Sequence, residues 1–193
     1  MNTSNLRTGD ILLFHSPKFP SVGWWIGRYT MSPYSHVGIL KWEKGKPYVL
    51  EFREFKGSRK FPLNKYLAAG HNISVFRPVH LAVVPDGPHS YVVKEFSPDV
   101  ADSIIREAEH LIGMDYGWKN IWRMALTMTP FVRLFSGNHK YNDDAKAQAF
   151  VCSTLVTYTY RKHFLDPTPN LADAYTKPGD LARSPLFSKI GEL

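Results

Sequence analysis

The sequence predicts an α+β domain, on three observations. Short β-rich runs bounded by turn residues fill the first half, and apolar residues at helical spacing fill much of the second. The two patterns run in blocks instead of alternating, which separates the class from α/β folds. With 193 residues, of which 44% are hydrophobic and 21% charged, the chain can bury a core without disulfide or metal staples. This composition excludes a disordered, collagenous or low-complexity chain. No repeat or linker-like stretch divides it, so residues 1–193 read as a single domain.

The elements follow in order. Asp10 to His15 (DILLFH) is a strand after the Thr8-Gly9 turn, and Ser21 to Met31 reads as a short helix because its bulky residues cluster at near-helical spacing. Ser35 to Trp42 and Pro47 to Arg53 are strands joined by Glu43-Lys44-Gly45-Lys46. Asn72 to Arg77 is a further strand, ended by Pro78; residues 79–96 are ambiguous, with Pro85-Asp86-Gly87-Pro88 a turn between two β-rich pieces. Ser97-Pro98-Asp99 reads as a helix N-cap followed by proline in the first turn. Val100, Ile104, Ala108, Leu111 and Ile112 then recur on one face, opposite Asp102, Arg106 and Glu109, until Gly113. A second helix covers Trp118 to Met128. A third starts near Val151-Cys152 and carries Leu155, Val156 and Tyr160 toward Arg161, Lys162 and His163; Ala145 to Ala149 leave open an upstream extension. Leu186 to Ile190 closes the chain as a strand.

Charge is unevenly placed. The chain has 24 Lys and Arg against 17 Asp and Glu, a net +7, and all of the excess lies in residues 1–96. Lys41, Lys44, Lys46, Arg53, Lys56, Arg59, Lys60 and Lys65 supply much of it, and such a patch attracts anionic polymer or a phospholipid surface. A soluble protein with a lysine-rich rim explains it equally well. Nucleic acid is not expected as a partner, since no nucleic-acid motif accompanies the patch. Met1 to Gly9 lacks the apolar run of a secretory signal, and no window approaches the ~18 consecutive apolar residues of a membrane span. A cytoplasmic location is the expectation.

One cysteine excludes a multi-cysteine zinc site, and no two histidines stand at i, i+4 on a helix, so no metal or cofactor is expected. Cys152 opens its helix, where free N–H groups lower a thiol pKa and favour the nucleophilic thiolate. Taken alone it reads as a buried small hydrophobe; a partner base reverses that. Of eight histidines, His15 closes a strand, while His71, His80, His89 and His139 sit among loop residues and read as solvated. His110 and His163 fall near helix ends. His36 differs, because it starts a strand whose rigidity would aim it. If Lys44-Gly45 is a two-residue turn, Gly38 opposes Glu51 and His36 opposes Arg53. His36 and Glu51 then share a face as diagonal neighbours, about 7–8 Å apart at the backbone. The ordinary alternative pairs Glu51 with Arg53 or a nearby lysine. Together, Cys152, His36 and Glu51 have the types needed for nucleophile, base and orienting acid, although 116 residues separate the first two.

The ordered set Gly9-Asp10-Ile11-Leu12, Ser35-His36-Val37-Gly38-Ile39, Tyr48-Val49-Leu50-Glu51 and Val151-Cys152-Ser153-Thr154-Leu155-Val156 resembles the circularly permuted papain-like hydrolases of the NlpC-type superfamily, in their YiiX/YaeF-like branch. Ile112-Gly113-Met114-Asp115-Tyr116 and Lys177-Pro178-Gly179-Asp180-Leu181-Ala182-Arg183-Ser184-Pro185 extend the resemblance from Gly9 to Pro185. It implies an antiparallel sheet or small barrel packed against helices, with the His strand ahead of the Cys helix. It also implies Cys152 as nucleophile, His36 as base and Glu51 as third polar residue of a thiol hydrolase working through a thioester. Relatives suggest an amide substrate such as a cell-wall (peptidoglycan) muropeptide, or lipid-linked acyl groups as in lecithin retinol acyltransferase-like members. Thr154 stands where the branch usually has a bulkier polar residue. Tyr34, Tyr116 and Trp118 are candidate pocket residues, though aromatics more often serve the core. Trp122 to Phe135 could form an acyl-binding or membrane-facing surface, with a plain helix core the commoner use. A catalytically silent binding module with the same fold is the alternative from another class.

Overall fold

The computed structural model describes residues 1–17, 32–53, 56–83, 91–114, 152–169, 171–173 and 176–193. The expected helices over Ser21–Met31 and Trp118–Met128, the 145–149 extension, the 85–88 turn, His89 and His139 lie outside those residues. Strands β1 (Ile11–His15), β2 (Tyr34–Glu43), β3 (Lys46–Arg53), β4 (Gly57–Pro62), β5 (Ile73–Val83) and β6 (Tyr91–Glu95) form an antiparallel sheet in the order β4-β3-β2-β1-β5-β6. β7 (Phe187–Glu192) also pairs with β5. Helices α1 (Leu63–Ala68), α2 (Pro98–His110), α3 (Cys152–Arg161) and α4 (Pro178–Ala182) complete the described elements. The predicted class holds, with strands in one block and helices packed on them. Among the described residues, no helix is long and apolar enough to cross a membrane.

The central position of β1 explains its unbroken apolar run. Ile11 and Leu13 face one core with Val37, Ile39, Leu50, Phe52, Ile104, Leu155 and Tyr160. Leu12 and Phe14 face a second core with Leu40, Val49, Leu63, Tyr66 and Ile73. A strand buried on both faces cannot alternate apolar with polar residues. Each fully buried Leu or Ile side chain contributes roughly 1.5–3 kcal/mol by leaving water.

The β2–β3 hairpin has the register expected from its turn. Glu43 pairs with Lys46, Trp42 with Pro47 and Ile39 with Leu50. Lys44 (φ 48°) and Gly45 (φ 73°) form the two-residue turn, both in the left-handed conformation that matches the twist of the flanking strands. The ladder stops at Ile39 and Leu50. Beyond it the strands stay close: a Cβ added to Gly38 would lie 2.4 Å from Val49 Cγ1 and 3.4 Å from Glu51 Cβ. β3 then pairs with β4, which sets Arg59 directly opposite Glu51.

Three local expectations are corrected. β5 does not end at Pro78 but runs through it to Val83. Proline lacks the ladder N–H, and the strand changes partner there: it pairs with β1 and β7 up to Pro78, then with β6 from Val79. Helix α2 keeps Ser97 as N-cap and Pro98 in its first turn but ends at His110, so Ile112 leaves the buried face and is 42% exposed. His71 is not simply solvated, because its ring packs edge-on against Tyr66 (5.1 Å between centroids) and Phe14 (6.0 Å).

Candidate active site

Three separate elements deliver the side chains of interest. His36 sits near the start of β2, opposite Phe14 of β1, and Glu51 lies in β3. Cys152 is the first residue of α3, which packs on β2 and β3. Two contacts fix the helix start. Ser153 Oγ donates to the Thr176 carbonyl (2.5 Å), and Thr154 Oγ1 to that of Asp173 (3.3 Å). Thr176 leads into α4, whose Asp180 carboxylate accepts the Lys177 N–H (2.9 Å) and whose residues pack on β2. A Cβ added to Gly179 would lie 2.5 Å from Ser32 Oγ, so the glycine allows α4 to seat just before the histidine strand.

The imidazole of His36 is bonded to an acid and acted on by a thiol. Its Nε2 donates to Glu51 Oε2 at 2.6 Å, with the two residues only 3% and 1% exposed. The Phe14 ring lies against it, with centroids 5.1 Å apart. Nδ1 is buried and makes no well-formed hydrogen bond. The Cys152 thiol, itself 7% exposed, interacts with the imidazole strongly enough to help raise its pKa. The other oxygen of Glu51, Oε1, accepts from Arg59 Nε (2.8 Å) and from the Tyr66 hydroxyl (2.5 Å). Arg59 also donates to that hydroxyl (2.9 Å).

Burial is the largest single influence on both titrating partners, and in both it is outweighed. For His36, burial pushes the pKa down; hydrogen bonding and charge from Cys152 and Glu51 together carry it up to about 9. For Glu51, burial pushes up; the His36 bond and charge, then Tyr66 and Arg59, bring it down to about 2. At neutral pH the pair is therefore imidazolium and carboxylate. Tyr66 is raised, by its burial and then by the charge of Glu51, so its hydroxyl keeps its proton and donates it.

Sequence reasoning selected Cys152, His36 and Glu51, and the structure brings the three together. Tyr34 begins β2 but belongs to the core beside His15 and Phe76, and its hydroxyl donates to Ser74 Oγ (3.2 Å). Tyr116 and Trp118 lie outside the described residues. Arg59 and Tyr66 were not anticipated as partners of Glu51. The available signal was the second hairpin, since a turn near Gly57 would have set Arg59 across from Glu51. Several cations of the basic half are ion-paired: Lys41 with Glu109 (2.5 Å), Lys60 with Glu43 (2.7 Å) and Arg59 with Glu51 (2.7 Å).

Comparison with known proteins returns the same architecture. Residues 5–85, which carry the strands of His36 and Glu51, match the family model described as permuted papain-like amidase enzyme, YaeF/YiiX, C92 family. No curated protein matches. Among solved structures, the crystal structure titled metalloprotein yiiX from Escherichia coli O157:H7 is similar over 97% of each chain, with a TM-score of 0.62 at 18% identity. In the sequence of residues 5–85 and in fold over 97% of its length, the chain resembles the permuted papain-like YaeF/YiiX proteins.

Proposed function

We propose that the protein is a cysteine hydrolase that cleaves an amide bond, with Cys152 as nucleophile, His36 as base and acid, and Glu51 as the group that orients the ring. The observation that carries this reading is the imidazole held by Glu51 at Nε2 (2.6 Å) with its other nitrogen free of any well-formed bond and the Cys152 thiol acting on the ring. The match of residues 5–85 to an amidase family supports it. Cys152 attacks the scissile carbonyl while its proton resides on His36. The backbone N–H of Cys152, at the helix start, helps hold the oxyanion. His36 then protonates the departing nitrogen, leaving a thioester on Cys152, and takes a proton from the water that hydrolyses it. Glu51 stays ionised throughout and stabilises the imidazolium.

A peptide amide, with a cell-wall muropeptide as the leading substrate, is the class we infer; the basic half of the chain suits an anionic polymer. The related yiiX structure is titled a metalloprotein. In this chain, among the described residues, no group of three or more His, Cys, Asp and Glu side chains could hold a metal ion, and no step above uses one. The test is incubation with a muropeptide mixture and, in parallel, a phospholipid panel, read by mass spectrometry. We expect amide cleavage that falls at least about 10³-fold in Cys152→Ala and in His36→Ala. Retained cleavage in either variant refutes the catalytic assignment, and deacylation of phospholipid with no peptide cleavage refutes the substrate class.

A further inference from the structure

The two oxygens of Glu51 have different partners, and only one of them faces the histidine. Oε2 accepts from His36, while Oε1 is held by Arg59 and Tyr66, which also bond each other. The three groups on the Oε1 side close a triangle of hydrogen bonds. Arg59 donates twice; Tyr66 accepts from Arg59 and donates to Glu51; Glu51 only accepts. The triangle draws on three elements, since Glu51 lies in β3, Arg59 in β4 and Tyr66 in α1. Arg59 is itself held in place: its guanidinium stacks on the Phe61 ring, 4.2 Å from the centroid, and its backbone is paired across from Glu51. The Tyr66 ring packs edge-on against Phe14 (4.7 Å) and Phe61 (5.0 Å).

We propose that Arg59 and Tyr66 are positioning residues that lock the Glu51 carboxylate by Oε1, so that Oε2 is presented to His36 as a fixed acceptor. This rests on reading Cys152, His36 and Glu51 as a triad. A carboxylate held at one oxygen by two donors cannot rotate to offer Oε1 to the ring, and two donors favour its charged form. Through Glu51 they keep the imidazole charged and aimed. Their bonds go to Glu51 and to each other. Among the described residues, the charged and titratable groups around the pair are Cys152 from α3, Tyr66 from α1, Arg59 from β4, Arg53 from β3, whose guanidinium lies 5.7 Å from the Tyr66 centroid, and His71, which follows α1. Burial, then the charges of Arg53 and His36, push the pKa of His71 down against the opposing pull of Glu51.

The test is the His36 ring titration followed by NMR in the full chain and in Tyr66→Phe, Arg59→Gln and Arg59→Lys, with circular dichroism reporting the fold. We expect the midpoint to fall by about half a unit or more in Tyr66→Phe and Arg59→Gln, with partial recovery in Arg59→Lys. If hydrolysis is measurable, kcat should drop about 10-fold in Tyr66→Phe with KM unchanged. A midpoint unmoved in folded Tyr66→Phe and Arg59→Gln overturns the proposal. Should these variants not fold, the unaltered protein decides: a ¹³Cδ resonance of Glu51 that shows no protonation down to about pH 3.5 supports the lock, and a titration near the ordinary carboxylate value overturns it. The ring and carboxylate titrations need no turnover, so failure to hydrolyse any substrate would fell the hydrolase reading while leaving these measurements to judge the lock.

Discussion

At the scale of single residues, the decisive fact is that two buried groups keep their charges because they have each other. An isolated imidazolium or carboxylate at this depth would neutralise; here Glu51 and His36 meet at 2.6 Å. The pairing makes stability depend on pH in a definite direction. His36 is raised from 6.5 to about 9, so its contribution is full below pH 6.5 and is lost as pH rises through about 9. Glu51 is lowered from 4.5 to about 2, so its contribution is full above pH 4.5 and is lost as pH falls toward about 2. The pair therefore stabilises most between about pH 4.5 and 6.5. Urea midpoints measured from pH 6 to 10 should decline toward the alkaline end, and His36→Ala should flatten that decline.

At the scale of elements, the sequence was most legible where a pattern met a turn of known geometry. The Lys44-Gly45 turn fixed the β2–β3 register, and the register put His36 and Glu51 on one face. Legibility failed where a residue had two competing meanings. Pro78 ends many strands, but it sits where β5 exchanges partners and no N–H is required. Lys56, Arg59, Lys60 and Lys65 read as part of a basic patch, because charge obscured the alternation of β4; Arg59 as a partner of Glu51 was hidden with it. Cys152 could not be joined to His36 by spacing at all, since only tertiary packing of α3 on β2 brings them together. The seating of α4 offers a direct check on that packing. Gly179→Ala would push a Cβ to 2.5 Å from Ser32 Oγ and 2.8 Å from Ser32 Cβ. We expect a loss of about 1–3 kcal/mol in urea unfolding. Most of it should return in the double variant Gly179→Ala/Ser32→Gly, which removes both atoms in the way.

At the scale of the whole molecule, the site depends on a helix that its own sequence does not favour. α3 reads CSTLVTYTYR, with three threonines and a valine in ten residues, and nearly all of it is buried. β-Branched residues are weak helix formers, and buried hydroxyls need partners. Thr159 Oγ1 donates to the carbonyls of Leu155 (2.8 Å) and Val156 (3.2 Å), and Thr157 Oγ1 to those of Ser153 (3.4 Å) and Thr154 (3.3 Å). Such bonds to the helix's own carbonyls add little to helix formation in water. A synthetic peptide spanning residues 150–163 should accordingly show no more than marginal ellipticity at 222 nm, where an alanine-rich control of that length shows more. On the proposed function, the nascent polypeptide thus emerges with an unassisted mercaptan, which gains its partners only when the remainder of the chain has closed around that segment.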